Sequence, residues 1–138
     1  MKVAILSAER GWHTDELQRA LAARGVASDV WPVDGLVGRA GGAGGARLEG
    51  GGRALDDVDG VLVRILPRGS LEQVVYRVDA LHRLERLGIP VVNPARAIER
   101  TVDKFLTTTL LDDAGLPTPP TVVAERLDDA MRAFRALG

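Results

Sequence analysis

The feature that most constrains this chain is its alternation of short apolar runs with longer stretches of helical periodicity. Lys2-Val3-Ala4-Ile5-Leu6-Ser7 is almost unbroken apolar sequence ending in a small polar residue. A run of that length reads as a strand buried on both faces, the habit of parallel sheets. Thr14 then reads as a helix N-cap, with Asp15 and Glu16 in the first turn where carboxylates suit the helix dipole. Leu17, Ala20 and Leu21 keep helical spacing, and Gly25 supplies a C-terminal stop. Residues 28–33, 61–65 and 90–93 read as second, third and fourth strands. Before the fourth, Ser70 and Gln73 form a capping-box pattern. Leu71, Val74, Val78, Leu81, Leu84 and Leu87 then make one apolar stripe, with Glu72, Arg77, Arg83 and Arg86 off it. Strands alternating with helices predict an α/β fold: a Rossmann-like parallel sheet with helices on both faces. The expected strand order is second, first, third, fourth.

The stretch 35–52 breaks this rhythm, because nine of its eighteen residues are glycine. Arg47-Leu48-Glu49 and Arg53-Ala54-Leu55 flank a triple glycine and predict a hairpin, the rest being a flexible surface excursion. The stretch carries no GxxxxGK[ST] and no GxGxxG turn from strand to helix, which argues against a phosphate cradle. The turn after Ser7 also lacks the glycine fingerprint, which argues against a nicotinamide-dependent oxidoreductase. Beyond the fourth strand, residues 101–114 read as a helix with Val102, Phe105, Leu106, Thr109 and Leu110 facing inward. Pro117, Pro119 and Pro120 form a stiff connector. Residues 121–124 read as an edge-like strand, and 127–137 as a helix opening at Asp128. This divides the chain into a domain over 1–115 and the start of another over 116–138.

Composition sets the exclusions. With no cysteine, the chain has no disulfide, thiolate metal site or thiol nucleophile. A formal net charge of −1 gives no nucleic-acid footprint and no membrane-surface patch. No apolar run approaches the ~20 residues of a membrane span. The first residues read as a strand and not as an export signal, so a cytoplasmic location is the expectation.

Ligands of open parallel sheets bind outside the carboxyl ends of the strands. That rule selects Ser7, Arg10, Trp12 and His13 after the first strand. After the third it selects Arg64, Arg68, Gly69 and Ser70, and after the fourth Asn93. Arg64 with the helix N-terminus at Ser70 suits an anion such as a carboxylate or phosphate. Each has a plainer reading: Trp12 and His13 as packing over the first helix, Ser70 as a cap only, Arg64 as a surface ion-pair member. Asp56, Asp57 and Asp59 precede a strand and read as a solvated turn, and two histidines, His13 and His82, make a histidine metal site improbable.

The segment from Asn93 to Lys104 carries a family resemblance. Asn93 after a buried strand, a short helical turn and then Asp103-Lys104 opening a helix resembles the ATP-grasp superfamily. So do Leu110-Leu111, Gly115-Leu116-Pro117-Thr118-Pro119 and Thr121-Val122-Val123 in that order. Ile5-Leu6-Ser7, Gly11-Trp12-His13 and Gly69-Ser70-Leu71-Glu72-Gln73 look like RimK-type glutamate ligases, in particular the subgroup of tetrahydromethanopterin:glutamate ligases. The resemblance implies an ATP-dependent carboxylate–amine ligase that uses magnesium and forms an amide through an acyl phosphate. Its partners would be a small-molecule or peptide carboxylate and an amino acid such as glutamate, and a homo-oligomer is compatible with it. The first domain would help shape the acceptor pocket, with Trp12, His13, Arg64, Ser70 and Asn93 as substrate-facing candidates. Lys104 matches the lysine that reaches the nucleotide phosphates. It is one of only two lysines among 18 basic residues, and its plainer alternative is a solvated helix-surface lysine. The family's second lysine, glycine-rich lid and magnesium ligands lie downstream of Gly138, so the chain reads as a fragment, inactive alone, with no catalytic or metal-ligating residue of its own. The alternative of another class is a stand-alone Rossmann-like binding or partner-docking module without catalysis.

Overall fold

A computed structural model describes residues 1–43 and 45–138; Gly44, within the glycine-rich stretch, lies outside the described residues. The chain forms two compact units, Met1–Arg96 and Ala97–Gly138.

The first unit is built on a four-stranded parallel sheet in the order β2-β1-β6-β7, where β1 is Lys2–Ser7, β2 Ala27–Pro32, β6 Gly60–Val63 and β7 Val91–Val92. This is the order expected from the sequence. β1 lies between two partners, with Ile5 opposite Val30 on one side and Leu62 on the other. Ala4, Ile5 and Leu6 are completely buried, as a strand covered on both faces requires. Helix α1 (Trp12–Ala22) follows β1. Thr14 is not its N-cap: Gly11 holds that position, and Thr14 sits three residues in. The Thr14 hydroxyl accepts from the Gly11 N–H at 2.9 Å and donates to the Gly11 carbonyl at 2.7 Å. A threonine can close a helix start from inside as well as from the cap. Gly25 ends the turn at φ +72°, a conformation that favours glycine.

Helix α2 (Leu71–Arg86) begins at the capping box read from the sequence: Ser70 Oγ accepts from the Gln73 N–H, and Gln73 Oε1 accepts from the Ser70 N–H. Val78, Ala80, Leu81 and Leu84 form its buried face, whereas Leu71 at the start of the stripe is 74% exposed. Burying a leucine such as Leu81 contributes ~1.5–3 kcal/mol each time. Arg77, expected off the stripe, is 6% exposed. Its guanidinium donates to the Pro67 carbonyl at 2.7 Å and the Arg68 carbonyl at 3.4 Å, so a long polar side chain tucks under the preceding loop.

The described residues of the glycine-rich stretch hold more strand than its sequence suggests. β3 (Leu36–Arg39), β4 (Arg47–Gly50) and β5 (Arg53–Ala54) form a small antiparallel sheet. The expected hairpin is present, with Gly51 and Gly52 both at positive φ between β4 and β5. β3 was not anticipated; it pairs Val37 with Glu49 and Arg39 with Arg47. Arg53 ties the small sheet to β2, binding Asp29 at 2.7 Å and lying 4.1 Å from the centroid of the buried Trp31 ring.

The second unit differs from expectation in three ways. The helix read over 101–114 opens later: α3 (Ala95–Val102) ends before it, and α4 (Lys104–Asp113) starts at the Asp103-Lys104 pair with Asp103 as N-cap, its carboxylate accepting from the Leu106 N–H at 2.9 Å. The residues expected to face inward do not: Val102, Phe105, Leu106 and Leu110 are exposed, and α4 buries no residue. Residues 121–124 form no strand, because no ladder partner lies beside them among the described residues. The last helix, α5 (Leu127–Leu137), has Asp128 and Asp129 in its first turn.

Candidate ligand pocket at the carboxyl edge of the sheet

β1 ends at Ser7 and β6 at Val63, on neighbouring strands, so the loops that follow them are adjacent at the carboxyl edge. The backbone N–H of Arg64 continues the pairing, donating to the Leu6 carbonyl at 2.8 Å. This contact brings Arg64 beside the Ser7–His13 segment. Together they line a cavity of about 170 Å³ whose walls include Ser7, Arg10, Trp12, His13, Arg64 and Ile65. A second cavity of about 420 Å³ lies along α1, with Leu17 and Ala20 in its wall. Trp12, His13 and Arg64 border both cavities.

The local chemistry follows from these placements. Ser7 is buried and its hydroxyl donates to the Glu9 carbonyl at 2.9 Å, which fixes the turn out of β1. Trp12 and His13 are the first two residues of α1, and their rings meet edge to face at 5.0 Å between centroids. Trp12 remains 72% exposed despite that contact. Among the described residues the Arg64 guanidinium has neither an ion-pair nor a hydrogen-bond partner, and it is exposed at the cavity wall. Arg10 donates to the Gln18 side chain at 3.4 Å. Glu16 and Arg19, on the α1 side, neutralise one another at 2.6 Å, and that bond holds the Glu16 carboxyl below the usual carboxylate range.

Of the sequence candidates, Trp12, His13 and Arg64 come together, with Ser7 and Arg10. Ser70 and Asn93 line neither cavity. Ser70 Oγ is engaged twice, accepting from Gln73 and donating to Glu72 Oε2 at 2.6 Å. That bond lowers the Glu72 carboxyl below its ordinary range and leaves a carboxylate already seated at the α2 N-terminus. Asn93 is exposed beyond β7. Lys104 lies in the second unit, exposed, with its ammonium donating to the Thr101 carbonyl at 2.7 Å. Among the described residues there is no group of three or more His, Asp or Glu side chains that could hold a metal ion. No helix among them is long and apolar enough to cross a membrane. Sequence reasoning selected Gly69 by its place after the third strand but missed Arg77, and the close packing of the two shapes the loop after Arg64. A β-carbon at Gly69 would lie 2.7 Å from Gln73 Oε1, and no periodicity signals such an approach.

The parallel order and the capped crossover helix define a Rossmann-like unit with a pocket at the carboxyl edge of its sheet. The RimK PreATP-grasp domain family matches residues 1–98, and the chain belongs to that family. It is similar to the tetrahydromethanopterin:alpha-L-glutamate ligase of Methanosarcina acetivorans, 38% identical over 84 residues, covering 61% of this chain and 26% of that protein. The protein of the same name from Methanococcus maripaludis is 29% identical over 133 residues, covering 96% of this chain and 44% of its own length. Among solved structures, the macrocyclase MdnB from Microcystis aeruginosa shares the fold at a TM-score of 0.65 and 19% identity, covering 99% of this chain and 59% of that one. The ATP-grasp ligase PsnB with a minimal precursor does so at 0.65 and 24%, covering 97% and 49%. The chain thus spans less than half the length of these two curated relatives.

Proposed function

We propose that this chain is the N-terminal part of an ATP-dependent carboxylate–amine ligase, a glutamate ligase in particular, that forms an amide through an acyl phosphate. The observation that carries the reading is the family match over residues 1–98 together with relatives named as glutamate ligases. The pocket bordered by Trp12, His13 and Arg64 supports it, because an unpaired guanidinium is suited to a carboxylate, which it can grip through two parallel N–H bonds.

In this reading the pocket receives the carboxylate substrate, with Ser70 and Asn93 further out along the same sheet edge. The domain over 1–115 contributes that acceptor side, and 116–138 begins the ATP-grasp fold. Lys104 contacts the nucleotide phosphates, a task for which a mobile point charge is suited. ATP and magnesium belong to the complete ligase; no magnesium site is assigned within these residues, and amide formation needs the remainder of the ligase length. The protein works in the cytoplasm. The test is to supply the protein, followed by its downstream coding sequence, with ATP, magnesium, glutamate and candidate acids. ADP release that depends on both glutamate and an acid supports the reading; ADP release that depends on neither contradicts it.

A further inference from the structure

We infer that the carboxyl-edge pocket takes a ring-bearing carboxylate, its acid on Arg64 and its ring against Trp12, and that the Trp12–His13 pair decides which acids enter. This deepens the ligase reading and rests on it for the choice of a carboxylate over other anions. Three observations converge on the same few residues. First, Arg64 borders both cavities, and its guanidinium has no ion-pair or hydrogen-bond partner among the described residues. A cation left unpaired at a concave wall is available to an incoming anion. Second, Trp12 keeps 72% of its surface exposed while its ring is held edge to face by His13 at an interplanar angle of 72°. An indole this exposed offers a flat apolar face to a ligand ring. Third, Trp12 and His13 border both cavities, so a ligand in either one meets the two rings.

The charges facing the site decide the sign of the ligand. Arg10 and Arg64 stand against the single carboxylate of Glu9 in the smaller cavity, while Glu16 and Arg19 cancel in the larger one. The site therefore favours one negative group. The rest of the ligand meets Ala8, Ile65, Leu17, Ala20 and the two rings, which favour an apolar or aromatic body.

The experiment is an NMR titration of the 138-residue chain with sodium benzoate, acetate, benzyl alcohol and phenyl phosphate. The indole N–H of Trp12 is assigned by its loss in Trp12→Phe, and the fully buried Trp31 serves as internal reference. Benzoate is expected to shift the Trp12 and Arg64 side-chain signals and to leave Trp31 unmoved. Acetate, lacking the ring, and benzyl alcohol, lacking the charge, are each expected to bind about tenfold or more weakly. Arg64→Gln should reduce benzoate to the level of benzyl alcohol, and since Arg64 is exposed the fold should be retained. Equal binding of acetate and benzoate, an unchanged benzoate affinity in Arg64→Gln, or a silent Trp12 would each overturn the inference. Tighter binding of phenyl phosphate would overturn the carboxylate assignment. None of these readings needs ATP or amide formation. A chain that binds benzoate as expected but whose complete form makes no amide would sink the ligase reading and leave the pocket standing.

Discussion

The guanidinium of Arg77, buried in the second helix, donates to the carbonyl of Pro67 at 2.7 Å and so fastens the loop that carries Arg64 and Arg68. A charged side chain here does the work of backbone pairing: it satisfies carbonyls that no strand or helix reaches. Arg77→Met keeps the stem and removes both bonds. Urea unfolding should show a loss of ~1–3 kcal/mol. Hydrogen exchange should quicken across 64–70 before it does in β1. Unchanged stability and exchange would show that the loop holds itself.

Gly50 is a packing prediction of a different kind. A β-carbon there would meet Trp31 Cε3 at 2.9 Å, and Trp31 has no free space because it is fully buried between the main sheet and Arg53. Gly50→Ala should destabilise the chain by ~1–3 kcal/mol through overpacking. The Trp31 fluorescence should shift as the ring is displaced. A thermal midpoint equal to that of the parent would mean that the small sheet yields instead.

Much of the first unit was legible in the sequence for a physical reason. Strands buried on both faces announce themselves as apolar runs, so β1, β6 and the order β2-β1-β6-β7 could be read from Lys2–Ser7 and its counterparts. The capping box at Ser70 and Gln73 was equally plain, because it is a local bond between near neighbours. What failed depends on surfaces distant in sequence. β3 is hidden by glycine, and its pairing with β4 spans a loop. Residues 121–124 have strand composition but no partner to pair with. Arg77 looks like a solvent residue until the loop folds over it. At the site, the sheet-edge rule found Trp12, His13 and Arg64, because strand adjacency alone brings them together. It could not tell that Ser70 was already engaged by Glu72.

The Ser70–Glu72 bond makes a pH prediction. The Glu72 carboxyl is held below its usual range, first by the Ser70 hydroxyl and then by its own backbone N–H. A depressed carboxyl contributes stability that is present above its unfolded value and lost as pH falls through its folded value. The contribution should therefore fade on acidification below the ordinary glutamate range. Ser70→Ala should raise the Glu72 titration midpoint toward that range by NMR. Losing the cap should also cost ~0.5–2 kcal/mol at neutral pH. A Glu72 midpoint that does not move in Ser70→Ala would remove the bond from the account.

The nucleotide role proposed for Lys104 is testable, although its ammonium here donates to the Thr101 carbonyl. Lys104→Met in the complete ligase should weaken ATP use about 10- to 150-fold, the worth of one charge-assisted bond at ~1.5–3 kcal/mol. The fold should survive, since the side chain is exposed. Unchanged turnover and an unchanged Michaelis constant for ATP would make Lys104 a surface residue.

The most direct test of the central claim, that this chain forms the acceptor side of a carboxylate–amine ligase, follows amide formation itself. The protein carrying this chain and its downstream coding sequence is incubated with ATP, magnesium, glutamate and a ring-bearing carboxylic acid, and the products are read by mass spectrometry and ADP release. The account predicts one ADP for each glutamyl group added to the acid, with the rate falling about tenfold or more in Arg64→Gln. A folded protein that gives no glutamyl product, or an Arg64→Gln variant as active as the parent, would contradict it.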